Sequence, residues 1–498
     1  MLRKVGQIPL KMMAAKIGYL ARILLPWILI VLFSYWYMRL AYLNELHLRN
    51  GIDLGTYNQI LYNLSTGEMP PFNSLKGQIA WGDHAHFIML LFVPLYLIWS
   101  SPYLLLTVQV LVLTTSAWPI YRIALKKLRS MWLAGVICSS YLTFFGVQYA
   151  IDFDFHANTL TAAALAWWLY AYSYRKWWLY WGMLLVGLLT REDAATFFIA
   201  ICIYWLIFSF KKRWKLAAVT GLVALVYFFT VSYFIMPKWT PGGGALNYFD
   251  AVGENRSPVA IVWWFITNPV QIIQEFTSDG KHKTLRALAQ SYGYMPLFSP
   301  FTYLAVLPNL LARFLSEEYQ RHGLSFHYNA SLVSVLAFGA ILGVQNLQRL
   351  LKKISPSKVM VGGLNVALSL VIMLGVYGVS WKDPDLPLHK LSAPEFVSPE
   401  FQPVASHPAL EIVKTMIPRD KSVAASSGLV PWLSDRPFIY NFPDPLPKQP
   451  MWVVLSPEFN TWPLPKGEVL SYIDEFQQNE SFKMYWSDYG IYVFKRIK

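Results

Sequence analysis

Long apolar blocks, broken by short polar clusters, recur from Ile23 to Val379. A helix needs about 20 apolar residues to span a bilayer. The blocks predict crossings near 23–40, 102–124, 131–150, 157–174, 177–190, 194–210, 215–236, 328–346 and 358–379. The run at 87–99 is too short to cross. The segment 237–327 holds two further apolar runs, 258–273 and 292–315, that cross as a pair or not at all. The expected fold is a polytopic α-helical membrane domain over residues 1–379, with about 9–11 transmembrane helices.

A different periodicity appears in the first polar loop, 41–101. In "NGIDLGTYNQILYNL", Leu54, Tyr57, Ile60, Leu61 and Leu64 recur at helical spacing. This predicts an amphipathic helix lying along the membrane, with Asp53 as its N-cap. From Ser380 onward the pattern changes again. A linker with Pro384, Pro387, Pro394, Pro399 and Pro403 leads to short strand-like runs, "SVAAS", "PFIYNF", "MWVVLS" and "YGIYVFK". Helix-like stretches lie near 408–417 and 467–478. Residues 380–498 therefore read as a small, independent α/β domain.

Charge orients these elements. The chain is 55% hydrophobic and 14% charged, with a net charge of +14. Residues 380–498 carry 12 Lys+Arg and 14 Asp+Glu, so the whole excess sits in the membrane part. There it falls in short clusters: Arg3, Lys4, Lys11, Lys16 and Arg22; Lys126, Lys127 and Arg129; Arg175 and Lys176; Lys211, Lys212 and Arg213; and Arg349, Lys352 and Lys353. That is the positive-inside pattern and not a nucleic-acid surface. It places the chain in the cytoplasmic membrane with a cytoplasmic N-terminus, an uncleaved first helix and an extracytoplasmic tail. The clusters alternate correctly only if 87–99 does not cross and lies in the outer interface or re-enters, as a floor beside a site. Cys138 and Cys202 both lie in apolar blocks, so no disulfide framework is expected.

With this topology, ionisable residues gather on the outer face. Asp53 stands between two glycines. "WGDHAH" places Asp83, His84 and His86 before the floor helix, as an ordinary polar start to it or as phosphate or metal ligands. "IDFDFHANT" alternates Asp152, Asp154 and His156, which an extended chain would turn to one side. "LLTREDAAT" holds Arg191, Glu192 and Asp193, paired in a tight turn or with Arg191 gripping a phosphate. "SEEYQRHGLSFHYNAS" brings Arg321, His322, His327 and Tyr328, as interfacial anchors or as ligands. Each cluster alone has a bland explanation. Their convergence suits a base that deprotonates an acceptor and cations that hold a departing phosphate. A transporter or lipid-handling protein and a non-catalytic scaffold are the rival classes.

The stretches "GIDLGTYNQILYN", "GDHAHFIMLLFVPLYLIW", "DFDFHANTL", "LLTREDA", "PLFSPFTYLAVLPNLL", "FHYNASL" and "IPRDKSVAASSGLVPWLSDRPFIYNFP" follow in order along nearly the whole chain. In them the sequence resembles a family of bacterial and archaeal predicted membrane proteins within the GT-C glycosyltransferase superfamily. The resemblance implies a GT-C-type fold whose juxtamembrane helices floor the site. It implies transfer of a sugar from a polyprenyl-phosphate donor to an extracytoplasmic acceptor whose identity it leaves open. Asp53 matches the superfamily's catalytic acid and Asp154 its second acid. Arg191 takes the donor phosphate where relatives tend to carry Lys, with His84, His327 and Arg321 beside it. Asp152–Phe153–Asp154 has the form of a metal-binding pair, so Asp152, Asp154 and His156 become candidate ligands of Mg or Mn. That pair lies in the second outer loop, and Asp53 has no acidic partner two residues away, which leaves the metal open.

Overall fold

The computed structural model describes residues 10–240, 258–278, 280–354, 357–392, 406–444 and 450–497. Arg3, Lys4 and the linker prolines Pro394, Pro399 and Pro403 lie outside the described residues.

Six helical stretches are long and apolar enough to cross a membrane among the described residues: Ala15–Leu46, Pro102–Leu128, Met131–Asp152, Glu192–Lys238, Ala330–Ile354 and Val359–Ser380. The 47-residue stretch Glu192–Lys238 is two helices. Ser209 leaves helical geometry at φ −148°, next to the charged turn Lys211–Lys212–Arg213. A Cβ on Gly221 would stand 3.5 Å from the Cβ of Cys202, so the two arms pack back to back as a hairpin. A second hairpin joins helices Leu160–Tyr174 and Trp177–Thr190. Its turn is Arg175, in left-handed geometry at φ 56°. The aromatic surplus fills these contacts: Trp168 stacks on Trp205, and Tyr180 bonds Thr220 at 2.7 Å.

The short run at 87–99 is two turns of 3-10 helix, Phe87–Phe92, followed by helix Val93–Ile98. Twelve residues span about 20 Å at most, short of the roughly 30 Å hydrocarbon core. Neither apolar run of the 237–327 segment forms one uninterrupted helix. The first breaks at Pro269 into Pro258–Thr267 and Pro269–Thr277, and the second begins as a 3-10 turn before helix Pro300–Phe314. Proline lacks the N–H that would carry a helix through each break.

Helix α1 (Leu10–Leu46) leads directly to the amphipathic helix α2 (Ile52–Ser65). The C-terminal domain then sits on α2. Its sheet comprises β1 (Val423–Ala425), β2 (Ile439–Asn441), β3 (Trp452–Leu455), β4 (Phe482–Asp488) and β5 (Ile491–Arg496), in the order β2-β1-β3-β5-β4. β1 is parallel to both neighbours and β5 antiparallel to both of its own. Helices Ser406–Met416 and Lys466–Gln478 complete it, as the periodicity predicts. The strand at 482–488 escapes the sequence reading, because its partly exposed edge position leaves no apolar run to notice.

This domain is docked on the membrane part. Asn58 donates to Ser434 Oγ at 2.8 Å, Gln59 to the carbonyl of Pro437 at 2.9 Å, and Ser74 to the carbonyl of Ile439 at 2.6 Å. Gly55 lets the backbones close: a Cβ there would lie 2.5 Å from Val430. One face of α2 is thus buried against the sheet domain. The other is left to line a cavity.

Candidate functional site

The site begins at the start of α2. Its N-cap is Gly51, which offers no side chain, and Asp53 is already in the first helical turn. This corrects the expected N-cap role of Asp53. The capping is done from another loop: the carboxylate of Asp154 accepts from Gly51 N–H at 3.0 Å and Leu54 N–H at 3.0 Å. An anion at a helix N-terminus satisfies orphan donors and meets the helix dipole. Burial, then the charge of Asp53, pushes Asp154 up to about 6, against the pull of those N–H groups.

Asp53 is thereby free to face a polar cavity of about 280 Å³, which it lines with Lys76, Asp83, His84, His86, His156, Arg191, Arg321, His327 and Tyr328, among others. Its Oδ2 is 3.5 Å from His156 Nε2. His156 Nδ1 lies 3.0 Å from the backbone oxygen of Asp154, a group that only accepts, so that nitrogen carries a proton. Burial alone would raise Asp53. The hydrogen bond and charge of His156, with Lys76, outweigh it and hold the carboxyl below its ordinary range.

Asp152, Asp154 and His156 do not form a metal site. The expected alternation fails because Asp152 is still helical, ending Phe145–Asp152. Asp152 turns instead to Lys390 Nζ at 2.5 Å and Asn44 Nδ2 at 3.0 Å, while both Asp154 oxygens are spent on α2. Among the described residues, no group of three His, Cys, Asp or Glu side chains is placed to hold a metal ion. Asp154 accordingly enters as a support for Asp53, not as a group lining the cavity.

The histidines divide by role. His84 Nδ1 meets Glu192 at 2.8 Å, and the other Glu192 oxygen accepts from Ala85 N–H at 3.0 Å. Glu192, 1% exposed, so ties the floor segment to the end of helix Trp177–Thr190. His86 is held between Tyr57 Oη and the carbonyl of Thr190, both at 3.0 Å. Burial, then His84, lowers it to about 4. His327 stacks on His156 with ring centres 3.5 Å apart. Burial and the charges of His156 and Arg191 hold it well below its ordinary value. His327 therefore offers a neutral ring, and its buried Nδ1 has no hydrogen-bond partner among the described residues.

Arg191 and Asp193 form the tight-turn pair, with Arg191 Nε on Asp193 at 2.6 Å and Nη2 on its second oxygen. Burial opposes the guanidinium charge, but Asp193 more than restores it. Arg191 still opens onto the cavity. With His84, Asn158, Arg321 and Tyr328 it also lines a second, apolar cavity of about 480 Å³. Ile203, Leu225, Phe228, Phe229, Leu307 and Leu311 wall that cavity. Arg321 pairs with Glu318 at 2.6 Å. Arg313, unnoticed in the apolar run "PFTYLAVLPNLLARF", bonds the carbonyl of Arg321 at 2.6 Å and Asn329 at 2.9 Å. No ion pair is seen for Arg313 among the described residues. Arg191 and Arg321 line both cavities, each with a carboxylate partner, and Arg313 lines the apolar one.

A polytopic helical domain, floored by short helices, thus carries a small sheet domain over an acid in the loop after the first helix, which defines a membrane protein of helical class. The comparisons agree. The chain belongs to the family described as predicted membrane protein (DUF2079), matched over residues 44–493. Its fold is similar to that of ArnT from Cupriavidus metallidurans in the apo state, with a TM-score of 0.50 and 12% identity over 97% of this chain and 98% of that one. The crystal structure of the same protein bound to undecaprenyl phosphate matches with a TM-score of 0.50 and 12% identity, over 94% of this chain and 98% of that one. No curated protein matches the sequence.

Proposed function

We propose that this protein is a GT-C glycosyltransferase that moves a sugar from a polyprenyl-phosphate carrier to an acceptor on the face of the C-terminal domain. The observation that carries this reading is the contact of two unlike cavities. A polar one holding Asp53 meets an apolar one at Arg191 and Arg321, which line both. A polyprenyl phosphate has that same partition: an apolar chain, one phosphate and a polar sugar. Undecaprenyl phosphate in the similarly folded ArnT structure supports the lipid class.

In this mechanism Arg191, Arg321 and Arg313 set the field that receives the phosphate. The sugar lies in the polar cavity, and Asp53 accepts the proton of the acceptor's hydroxyl. The acceptor oxygen then bonds the anomeric carbon while the carbon–oxygen bond to phosphate breaks, and its electron pair leaves on the phosphate. His156 orients Asp53 and keeps it ionised.

Mass spectrometry of the lipid that copurifies in mild detergent tests this. The expected outcome is a polyprenyl phosphate or its glycoside with the wild type, lost in Arg191→Ala at equal protein yield. Bulk phospholipid alone in both preparations would overturn the donor assignment.

A further inference from the structure

A second charged cavity lies at the other end of the same helices. Helix Trp177–Thr190 runs from Arg191 and the polar cavity back to the Arg175–Lys176 turn, about 20 Å away. There, a cavity of about 760 Å³ opens between three helix ends. Lys126 and Lys127 come from the end of helix Ala117–Leu128, Arg175 from the turn, and Lys212, Arg213 and Lys215 from the hairpin bend. Trp177, Trp181, Leu216 and Val219 form its apolar wall.

Among the described residues, six cations line this space and no acid does. None of the six is in an ion pair among the described residues. The positive-inside rule explains cations on this face, but it asks only for charges scattered in loops. Here they converge, and aromatic faces brace several of them. Arg213 lies 5.1 Å over Tyr172 and 5.8 Å over Trp205. Lys126 sits 4.2 Å from the Tyr174 ring and donates to the carbonyl of Ser173 at 2.6 Å. Lys127 is half-buried, 5.6 Å from Phe338. Bracing of this kind holds like charges together, which costs energy unless an anion joins them.

We propose that this cavity binds a phosphate-bearing headgroup, that of an anionic membrane lipid, at the face opposite the Asp53 site. The cations suit a phosphate, and the tryptophan and leucine wall suits the first methylenes of acyl chains at an interface. The proposal stands apart from the transferase reading, because none of its residues touches either of the other cavities.

The test is native mass spectrometry of the full chain, released from nanodiscs containing equal phosphatidylglycerol and phosphatidylcholine, with and without inorganic phosphate. The wild type should retain phosphatidylglycerol preferentially. Lys127→Gln/Arg213→Gln should lose that preference by about tenfold or more, the effect of removing two cations near a lipid surface. Lys212→Gln/Lys215→Gln removes two exposed charges without touching the braced pair. It should weaken retention at unchanged thermal stability, which separates binding from folding. Phosphate adducts lost in the same variants, with no lipid preference, would assign the site to free phosphate and overturn the lipid. Equal retention of both lipids and no phosphate adduct would overturn the site.

Discussion

The catalytic proposal rests on one carboxylate, and its surroundings define what to measure. Asp53→Asn keeps the shape and removes the base, so sugar transfer should fall by about 10²–10⁴-fold at unchanged expression. Asp53 is held below the ordinary carboxylate range. The acid limb of the pH–rate profile should therefore lie below about pH 4, the unperturbed value. His156→Gln removes the partner that lowers it, and burial then dominates, so the limb should move upward. Asp154 behaves in the opposite sense. Its folded value of about 6 lies above the ordinary one of 3.8. Its protonated form favours the fold fully below 3.8, and that contribution fades as pH rises through 6. Thermal unfolding in detergent should lose that pH dependence in Asp154→Asn. Asp53 was legible as a candidate because an acid between glycines at the start of a helix is conspicuous. Its freedom from capping was not, since the capping carboxylate lies 103 positions away along the chain.

Among the elements, α2 carries the most consequence. Its apolar spacing announced an amphipathic helix, and the structure gives one over Ile52–Ser65. Periodicity suggested that the apolar face meets lipid. Much of α2 is instead buried between the membrane helices and the C-terminal domain, including Asn58, Gln59 and Asn63. These polar side chains make the bonds to residues 434–437 and 72. Gly55→Val tests the docking. The added side chain meets Val430 directly, and overpacking of this kind costs about 1–3 kcal/mol. The C-terminal domain should then become sensitive to limited proteolysis near the 406–416 helix while the membrane helices stay protected. Unchanged protection would mean that the interface accommodates the methyl groups by sliding.

At the scale of the molecule, the two cavities matter through their contact. Ala312→Trp narrows the apolar cavity without touching Asp53. A lipid-linked donor should then bind less well, raising KM about tenfold or more with kcat nearly kept, because only uniform binding is lost. A fall in kcat alone would place the lipid elsewhere.

The membrane class, the alternating basic turns, the short floor segment and the main elements of the tail were all readable in the sequence. Each depends on local period, local charge or the length of a run, which a chain declares residue by residue. The tertiary structure alone decided which acid caps and which faces the cavity. It also decided that Asp152 turns to Lys390, that Arg313 bonds the backbone of Arg321, and that the tail covers α2. Those outcomes are contacts between residues far apart in sequence, and they follow from how helices pack, not from any pattern along them.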